Sequence, residues 1–187
     1  MEVILASQSP RRKELLGLLH IPFTVRVADI DETPDPTLTP AENVARLSRL
    51  KAEAVPHTPQ QIVIAADTLV VYHGEKLGKP TDAQDAKRML RMLSGNVHQV
   101  MTGMTVLYGD RQITCTEITD VHFRTLSEEE IDAYIASGDP MDKAGAYGIQ
   151  SGAAGYVPRI EGDYYNVVGL PVCRLSQILK QLTEETP

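Results

Sequence analysis

A run of hydroxyl and cationic side chains lies near the start of the chain, at residues 7–13. Ser9 is placed to cap a helix that begins at Pro10, because serine accepts a hydrogen bond from a first-turn N–H and proline has no N–H to satisfy. Arg11, Arg12 and the lysine after them then occupy that first turn. Each exposed cation there is unfavourable by roughly 0.3–1 kcal/mol against the helix dipole.

This placement of cations is favourable if an anion binds at the start of the helix. Backbone N–H groups, the hydroxyls of Ser7 and Ser9 and the guanidinium groups of Arg11 and Arg12 form a donor set suited to phosphate. The alternative is a solvated basic turn at the edge of a domain. The anion site is the favoured interpretation.

Two acidic residues are candidates for the other half of such a site. Asp67 interrupts the most apolar run of the chain, 62–71, where an unpaired carboxylate would cost several kcal/mol. Asp67 must therefore be paired, hydrogen-bonded, bound to a metal or placed at a cleft. The favoured interpretation is a functional carboxylate at a cleft, and the alternative is a purely structural carboxylate that caps a neighbouring turn. Glu32 lies in an acidic, proline-containing loop, 29–36.

Two lysines add further positive charge. Lys79 precedes a predicted helix start, and Lys51 lies close to the apolar face of a predicted helix. Lys51 either extends its ammonium group into solvent, which is the favoured interpretation, or reaches into a cleft. Cations and carboxylates in one cleft predict phosphoryl chemistry with a divalent ion, in which one acid orients or deprotonates water.

Two other kinds of hydrolase are less favoured. No histidine is placed as a partner for the two serines, which makes a Ser-His-Asp hydrolase improbable. Residues 29–33 match the D-x-D-x-T pattern of haloacid-dehalogenase-type phosphatases, with Asp29 as nucleophile and Asp31 as its partner acid. The preceding strand is weakly apolar, and so short a match arises easily by chance.

The elements that must position these residues alternate between strands and helices. An apolar run at 3–6 precedes the first helix, and residues 97–108 and 113–123 read as strands joined in a hairpin at Gly109-Asp110. Three segments have capping-box spacing and predict helix starts. These begin at Thr39, Thr81 and Ser127.

The chain length, net charge and cysteine spacing limit the class of protein. The 187 residues fit a single domain, 1–187, and the net charge of −7 excludes a general nucleic-acid-coating protein, which needs a broad basic face. The two cysteines, Cys115 and Cys173, have no paired spacing that would indicate zinc or a disulfide framework. With no leader and no apolar run long enough for a membrane span, we expect a cytoplasmic protein.

Five segments of the chain resemble the Maf family of nucleoside triphosphate pyrophosphatases. They occur in family order and extend over nearly the whole chain. Gln8 departs from the family pattern, in which a small residue is usual at this position. The segments are Leu5–Arg12, Ala66–Thr68, Gly78–Pro80, Asp142–Gln150 and Glu161–Pro171.

The resemblance implies an α/β fold akin to that of inosine triphosphate pyrophosphatases. In that fold an elongated mixed sheet is flanked by helices, with two lobes and a central cleft. The resemblance also implies a homodimer, a divalent cation (Mg²⁺ or Mn²⁺) and hydrolysis of a nucleoside triphosphate to the monophosphate and pyrophosphate. Family members are linked to arrest of septum formation and to the removal of modified nucleotides.

The resemblance also assigns roles to residues. Asp67 matches the family's proton acceptor, while Arg11, Thr68 and Gln150 match positions that bear on base choice. The segment that ends at Gln150 is similar to the branch that acts on dTTP and UTP. Combined with the donor set, this predicts that Glu32 and Asp67 hold the metal ion. The triphosphate would be bound by Ser7, Ser9, Arg11, Arg12, Lys51 and Lys79.

Two rival functions remain open. A nucleotide-sensing regulatory protein would bind nucleotides without turnover. A phosphomonoesterase built on Asp29 and Asp31 would release inorganic phosphate instead of pyrophosphate. The products formed from UTP distinguish all three functions.

Overall fold

The computed structural model describes residues 2–184 and has a mixed α/β fold. Within this part of the chain, seven strands form one sheet and six α-helices are present. The strands are β1 Glu2–Leu5, β2 Phe23–Val25, β3 Gln61–Tyr72, β4 Glu75–Leu77, β5 Val97–Tyr108, β6 Arg111–His122 and β7 Arg159–Glu161. The helices are α1 Pro10–Gly17, α2 Pro40–Ala54, α3 Ala83–Leu93, α4 Glu128–Ala136, α5 Tyr164–Val168 and α6 Val172–Glu184.

The strand order is β2-β1-β3-β5-β6-β7, and β4 pairs with β3. Strand β1 runs parallel to both of its neighbours, with Leu5 opposite Val25 in β2 and Ile64 in β3. Because the strands are parallel and Leu5, the last residue of β1, lies opposite Ile64, the segment after β1 lies beside the residues of β3 that follow Ile64. This register places the loop after Leu5 next to the part of β3 that contains Asp67.

The helix starts follow from local sequence. The Ser9 side chain accepts a hydrogen bond from the Arg12 backbone N–H at 3.4 Å, so the predicted cap of α1 is confirmed. Capping boxes also begin α2 at Thr39 and α4 at Ser127, as predicted. The prediction for Thr81 was wrong by one residue, because Asp82 caps α3 and accepts from the Asp85 N–H at 2.8 Å.

The chain divides into two units. Unit 1 contains the described residues up to Asp67, Thr102–Glu117 and the described residues from Gly169 onward. Unit 2 contains Thr68–Met101 and Ile118–Val168. Strands β3, β5 and β6 each contribute residues to both units, and a two-residue turn joins β5 to β6 at the predicted hairpin position.

Each unit has its own buried apolar cluster. In unit 1, Ile4 of β1 and Val63 of β3 cluster with Ala52 and Val55 at the end of α2 and with Leu107 of β5. In unit 2 the cluster is larger and is built on α3, α4 and four aromatic side chains. These are Tyr134 from α4 and Phe123, Tyr147 and Tyr156.

None of the helices within residues 2–184 is both long enough and apolar enough to cross a lipid bilayer.

Candidate active site

The loop between β1 and α1, residues 6–9, is organised around the buried hydroxyl of Ser7. Its Oγ accepts hydrogen bonds from the Ser9 backbone N–H at 3.2 Å and from Arg12 Nη1 at 3.3 Å. Arg12 Nε donates to the carbonyl oxygen of Gly169 at 2.9 Å, which ties the start of α1 to the segment before α6. Arg12 therefore contributes a fixed positive charge and also holds the loop in place.

Helix α2 lies unusually close to β5, and this contact sets the position of Lys51. A Cβ atom at Gly103 would come within 2.2 Å of the Val44 carbonyl oxygen, so only glycine permits this approach. One turn along the helix, the hydroxyls of Ser48 and Thr105 are 2.8 Å apart. Residues four apart on a helix share one face, so α2 is seated along its length on alternate residues of β5.

The side chain of Lys51 lies against two carboxylates. Its Nζ is 2.7 Å from Asp67 Oδ1 and 2.9 Å from Glu32 Oε2. The side chains of Lys51 and Asp67 are only 15% and 16% exposed, whereas that of Glu32 is 60% exposed. The prediction that Lys51 extends into solvent was wrong, because the carboxylate at the end of the apolar run needs a cation and α2 brings one within reach.

The charge of Arg12 acts on the same group of residues. Burial lowers the pKa of the Arg12 guanidinium, and the neighbouring charge of Asp67 opposes this effect. Arg11 lowers the pKa of Arg12 further, while Glu32 raises it. Arginine stays protonated through such changes, so cations and carboxylates face one another at this place in unit 1.

The structure thus brings seven of the predicted site residues into one region of unit 1. We call them the Asp67 cluster. They are Ser7, Ser9, Arg11, Arg12, Glu32, Lys51 and Asp67.

The remaining predicted residues belong to unit 2. Thr68 is half-buried in β3, and both Lys79 and Gln150 are exposed. The Gly78 carbonyl oxygen accepts a hydrogen bond from the Gly145 N–H at 3.0 Å, which joins the Lys79 segment to the one that leads to Gln150. Their predicted roles in binding stay predictions.

Sequence reasoning missed the group that holds the turn around Gln150. The Asp139 carboxylate accepts hydrogen bonds from the hydroxyls of Tyr134 and Ser151, both at 2.7 Å, and Lys143 Nζ lies 3.0 Å from it. The sequence offered no motif that links these residues.

The structure does not support a nucleophilic role for Asp29 or Asp31. Both are exposed in the loop after β2, and β2 is a three-residue strand at the end of the sheet order rather than a buried central strand. The carboxylate of Asp31 accepts a hydrogen bond from the Thr33 backbone N–H at 2.9 Å. Hydrogen bonds from the Thr33 side chain and backbone lower the pKa of Asp31, as expected for a residue that shapes a turn.

The donor chemistry of the Asp67 cluster fits a magnesium-type cation. Glu32 and Asp67 each place a carboxylate oxygen within 2.9 Å of one atom, Lys51 Nζ, so the two carboxylates converge. Mg²⁺ is commonly bound by one or two carboxylates that are supplemented by substrate phosphates and water. Among the described residues there is no group of three or more acidic, histidine or cysteine side chains that could hold a metal without the substrate.

The whole chain is similar to a known protein family and to curated relatives. A family model described as Maf-like protein matches residues 2–182. A dTTP/UTP pyrophosphatase of Bacillus cytotoxicus is 51% identical over 179 residues, which cover 95% of this chain and 94% of that protein. A dTTP/UTP pyrophosphatase of Bacillus mycoides is 47% identical over 185 residues and covers 98% and 97% of the two chains.

Comparison with solved structures supports the fold. A HAM1 protein from Coxiella burnetii superposes with a TM-score of 0.52 at 18% sequence identity. The match covers 97% of this chain and 99% of that one. At this identity the likeness concerns the fold alone, and it agrees with the predicted mixed α/β class.

Proposed function

The chain belongs to the Maf family, and from this premise we propose that it is a nucleoside triphosphate pyrophosphatase that acts on dTTP and UTP. The reaction is hydrolysis of the triphosphate to the nucleoside monophosphate and pyrophosphate. Support comes from relatives of about half-identical sequence, named dTTP/UTP pyrophosphatase, that match over almost their whole length. The structural observation that carries the proposal is the Asp67 cluster, where Lys51 pairs with the strand carboxylate and Arg12, at a capped helix start, lies close enough for its charge to interact with that carboxylate.

The proposed chemistry uses Asp67 as the proton acceptor. Water attacks the α-phosphorus, its proton passes to the Asp67 carboxylate, and the bond to the bridging oxygen of pyrophosphate breaks. Asp67 suits this role because it ends a buried apolar run and is itself mostly shielded from solvent. A base in that position is held rigidly by the strand.

The cations stabilise the negative charge that collects on the leaving pyrophosphate. Arg12 is half-buried and the side chain of Lys51 is only 15% exposed, so their charges are screened less by water than those of surface cations would be. The Lys51 ammonium has three donors: one donates to Asp67 Oδ1 at 2.7 Å, and Glu32 Oε2 lies 2.9 Å from the same nitrogen. Ser7, Ser9, Arg11 and Lys79 complete the proposed phosphate-binding set.

We include a divalent cation, Mg²⁺ or Mn²⁺, in the proposal. Glu32 and Asp67 would hold it, since both are hard oxygen donors, and the ion would take the place beside them that the Lys51 ammonium occupies in the free protein. When bound, such an ion neutralises phosphate charge and polarises the phosphoryl group. Two lobes around a central cleft, a homodimer, a cytoplasmic location and a link to septum arrest stay predictions.

Base selection is assigned to Gln150 and Thr68 of unit 2 and to Arg11 of unit 1. The Gln150 amide offers a donor and an acceptor, which match the adjacent acceptor and donor on the edge of uracil or thymine. Thr68 and Arg11 are the other proposed selectivity residues. One methyl group separates the two bases and is worth only about 1–3 kcal/mol in a pocket, so both should be accepted.

The decisive experiment identifies the products formed from UTP and Mg²⁺. We expect UMP and pyrophosphate, and we expect a chelator to stop the reaction. Asp67→Asn should abolish turnover while the protein stays folded. Asp120→Asn is a matched control on strand β6, where the carboxylate accepts a hydrogen bond from Gln99 at 3.0 Å and lies outside the Asp67 cluster.

The rivals give different results. Release of inorganic phosphate, with loss of activity in Asp29→Asn, would indicate the phosphomonoesterase. Saturable UTP binding without any product would indicate a sensor. Rates equal to wild type in Asp67→Asn would remove Asp67 from the mechanism.

A further inference from the structure

The Asp139 carboxylate is the centre of a hydrogen-bond network in unit 2. Its Oδ2 accepts from the Tyr134 hydroxyl at 2.7 Å, from Ser151 Oγ at 2.7 Å and from the Gly152 backbone N–H at 3.3 Å. Its Oδ1 lies 3.0 Å from Lys143 Nζ. We call Tyr134, Asp139, Lys143 and Ser151 the Asp139 network.

The network holds both ends of the turn that carries Gln150. On the far side of the turn, Asp139 binds Ser151 and the Gly152 N–H. On the near side, the Gly148 N–H donates to the Tyr134 hydroxyl at 3.0 Å, and this same hydroxyl donates to Asp139. One carboxylate is thus linked, directly or through one hydroxyl, to the residues on either side of Gln150.

The turn is also closely packed against the network. A Cβ atom at Gly148 would come within 2.6 Å of Lys143 Cε, and one at Gly152 would come within 2.5 Å of Tyr134 Cε2. The backbone on both sides of Gln150 therefore lies directly against side chains of the network. The ring of Tyr134 is itself buried in the apolar cluster of unit 2 and is 5% exposed.

The network is anchored by charge. Burial alone would raise the pKa of Asp139, but hydrogen bonds from Ser151 and Tyr134, together with Lys143, lower it to about 2. Asp139 is therefore an anion at neutral pH, and hydrogen bonds to an ionised acceptor are about twice as strong as those between neutral groups. Loss of the Asp139 charge would weaken the hydrogen bonds from Tyr134, Ser151 and Lys143 together.

We propose that Asp139 is a positioning residue for base selection, acting through the turn that presents Gln150. The inference rests on the proposed function, since it needs Gln150 to contact the base. The side chain of Gln150 is exposed, so the backbone of the turn sets the position from which its amide would reach the base. A loosened turn would lose entropy when the base binds and would let the amide face other bases.

The test measures selectivity rather than activity alone. We would determine kcat and KM for UTP and for GTP in the wild type, Gln150→Ala, Asp139→Asn and the double variant. We expect Asp139→Asn to raise KM for UTP about tenfold with little change in kcat, and to lower the preference for UTP over GTP. In the double variant the two losses of selectivity should not add, because both act on the same amide.

A second variant and a control separate positioning from folding. Tyr134→Phe removes only the hydroxyl between Asp139 and Gly148, so it should shift the UTP preference in the same direction even if Asp139→Asn fails to fold. Asp132→Asn removes a carboxylate from the same helix as Tyr134, where it pairs with Lys87 at the surface. This control should leave the preference unchanged.

Each outcome bears on one of the two proposals. If the wild type hydrolyses UTP and Gln150→Ala changes the preference while Asp139→Asn and Tyr134→Phe do not, the positioning role is refuted and the proposed function stands. Equal losses for UTP and GTP would also refute it, since they would indicate general damage. If the wild type forms no pyrophosphate from UTP, the proposed function itself fails.

Discussion

Lys51→Met is the substitution that tests the Asp67 cluster most directly. Methionine has nearly the same length and shape as lysine but carries no charge, so the variant removes the ammonium and keeps the packing of α2. It leaves the carboxylates of Asp67 and Glu32 without the cation that lies 2.7 and 2.9 Å from them. We expect a loss of both stability and turnover.

The size of the stability loss follows from burial. Exposed ion pairs contribute about 0–1 kcal/mol, and breaking a fully buried pair costs about 3–5 kcal/mol. The side chains of Lys51 and Asp67 are 15% and 16% exposed, which places this pair between these limits, and Glu32, 60% exposed, adds little. We expect the free energy of unfolding to fall by about 2 kcal/mol, which for a chain of this length lowers Tm by about 4–8 °C.

Urea denaturation at neutral pH measures this loss, and a double-mutant cycle assigns it. Lys51→Met, Asp67→Asn and the double variant should show a coupling of about 1–2 kcal/mol, because Asp67→Asn removes the charge that Lys51 compensates. The matched control is Arg49→Met on the same helix. Arg49 lies 3.9 Å from Glu53 and both side chains are about half exposed, so its loss should cost no more than about 0.5 kcal/mol.

Two results would refute the reasoning. If Lys51→Met is no more destabilising than Arg49→Met, the pair with Asp67 is screened by water and does not hold the cluster together. If the single losses simply add in the double variant, Lys51 and Asp67 act independently. In either case the cation that stabilises Asp67 would have to be sought elsewhere.

Two further substitutions test the packing inside each unit, at Gly103 of unit 1 and at His98 of unit 2. Gly103→Ala should lower the free energy of unfolding by about 3 kcal/mol, because the new Cβ would meet the Val44 backbone. The control Gly17→Ala should not destabilise the protein, since no atom lies within 4 Å of the new Cβ. Equal stabilities of the two variants in urea would contradict the close seating of α2. Burial lowers the pKa of His98, which lies beside the Tyr147 hydroxyl, from 6.5 to about 3. As the pH falls below 6.5, the imidazole is therefore protonated in the unfolded chain before it is protonated in the folded one. The free energy of unfolding should then fall by about 1.4 kcal/mol per pH unit between these two pKa values. Urea titrations at several pH values should show a shallower decline for His98→Gln, and identical pH profiles would exclude the buried imidazole as the cause.

Several local features could be predicted from the sequence because they depend on residues close together in the chain. The N-cap at Ser9 and the capping boxes at Thr39 and Ser127 each involve groups three residues apart. The apolar runs that became β1 and β3 are equally local. The error at Thr81 has the same origin, since Asp82 next to it offers a stronger acceptor for the first-turn N–H groups.

The sequence by itself determined which residues could carry the chemistry: a hydroxyl-rich, cationic helix start and a carboxylate in an apolar strand. Only the tertiary structure decided their partners. Lys51 finds Asp67 because the parallel register of β1 and β3 and the close seating of α2 bring their chain segments together. Asp139 gathers its donors from within residues 134–152, where no local sequence motif links them. Electrostatic and hydrogen-bond energies depend on distance and burial in space, and packing between distant parts of the chain sets both.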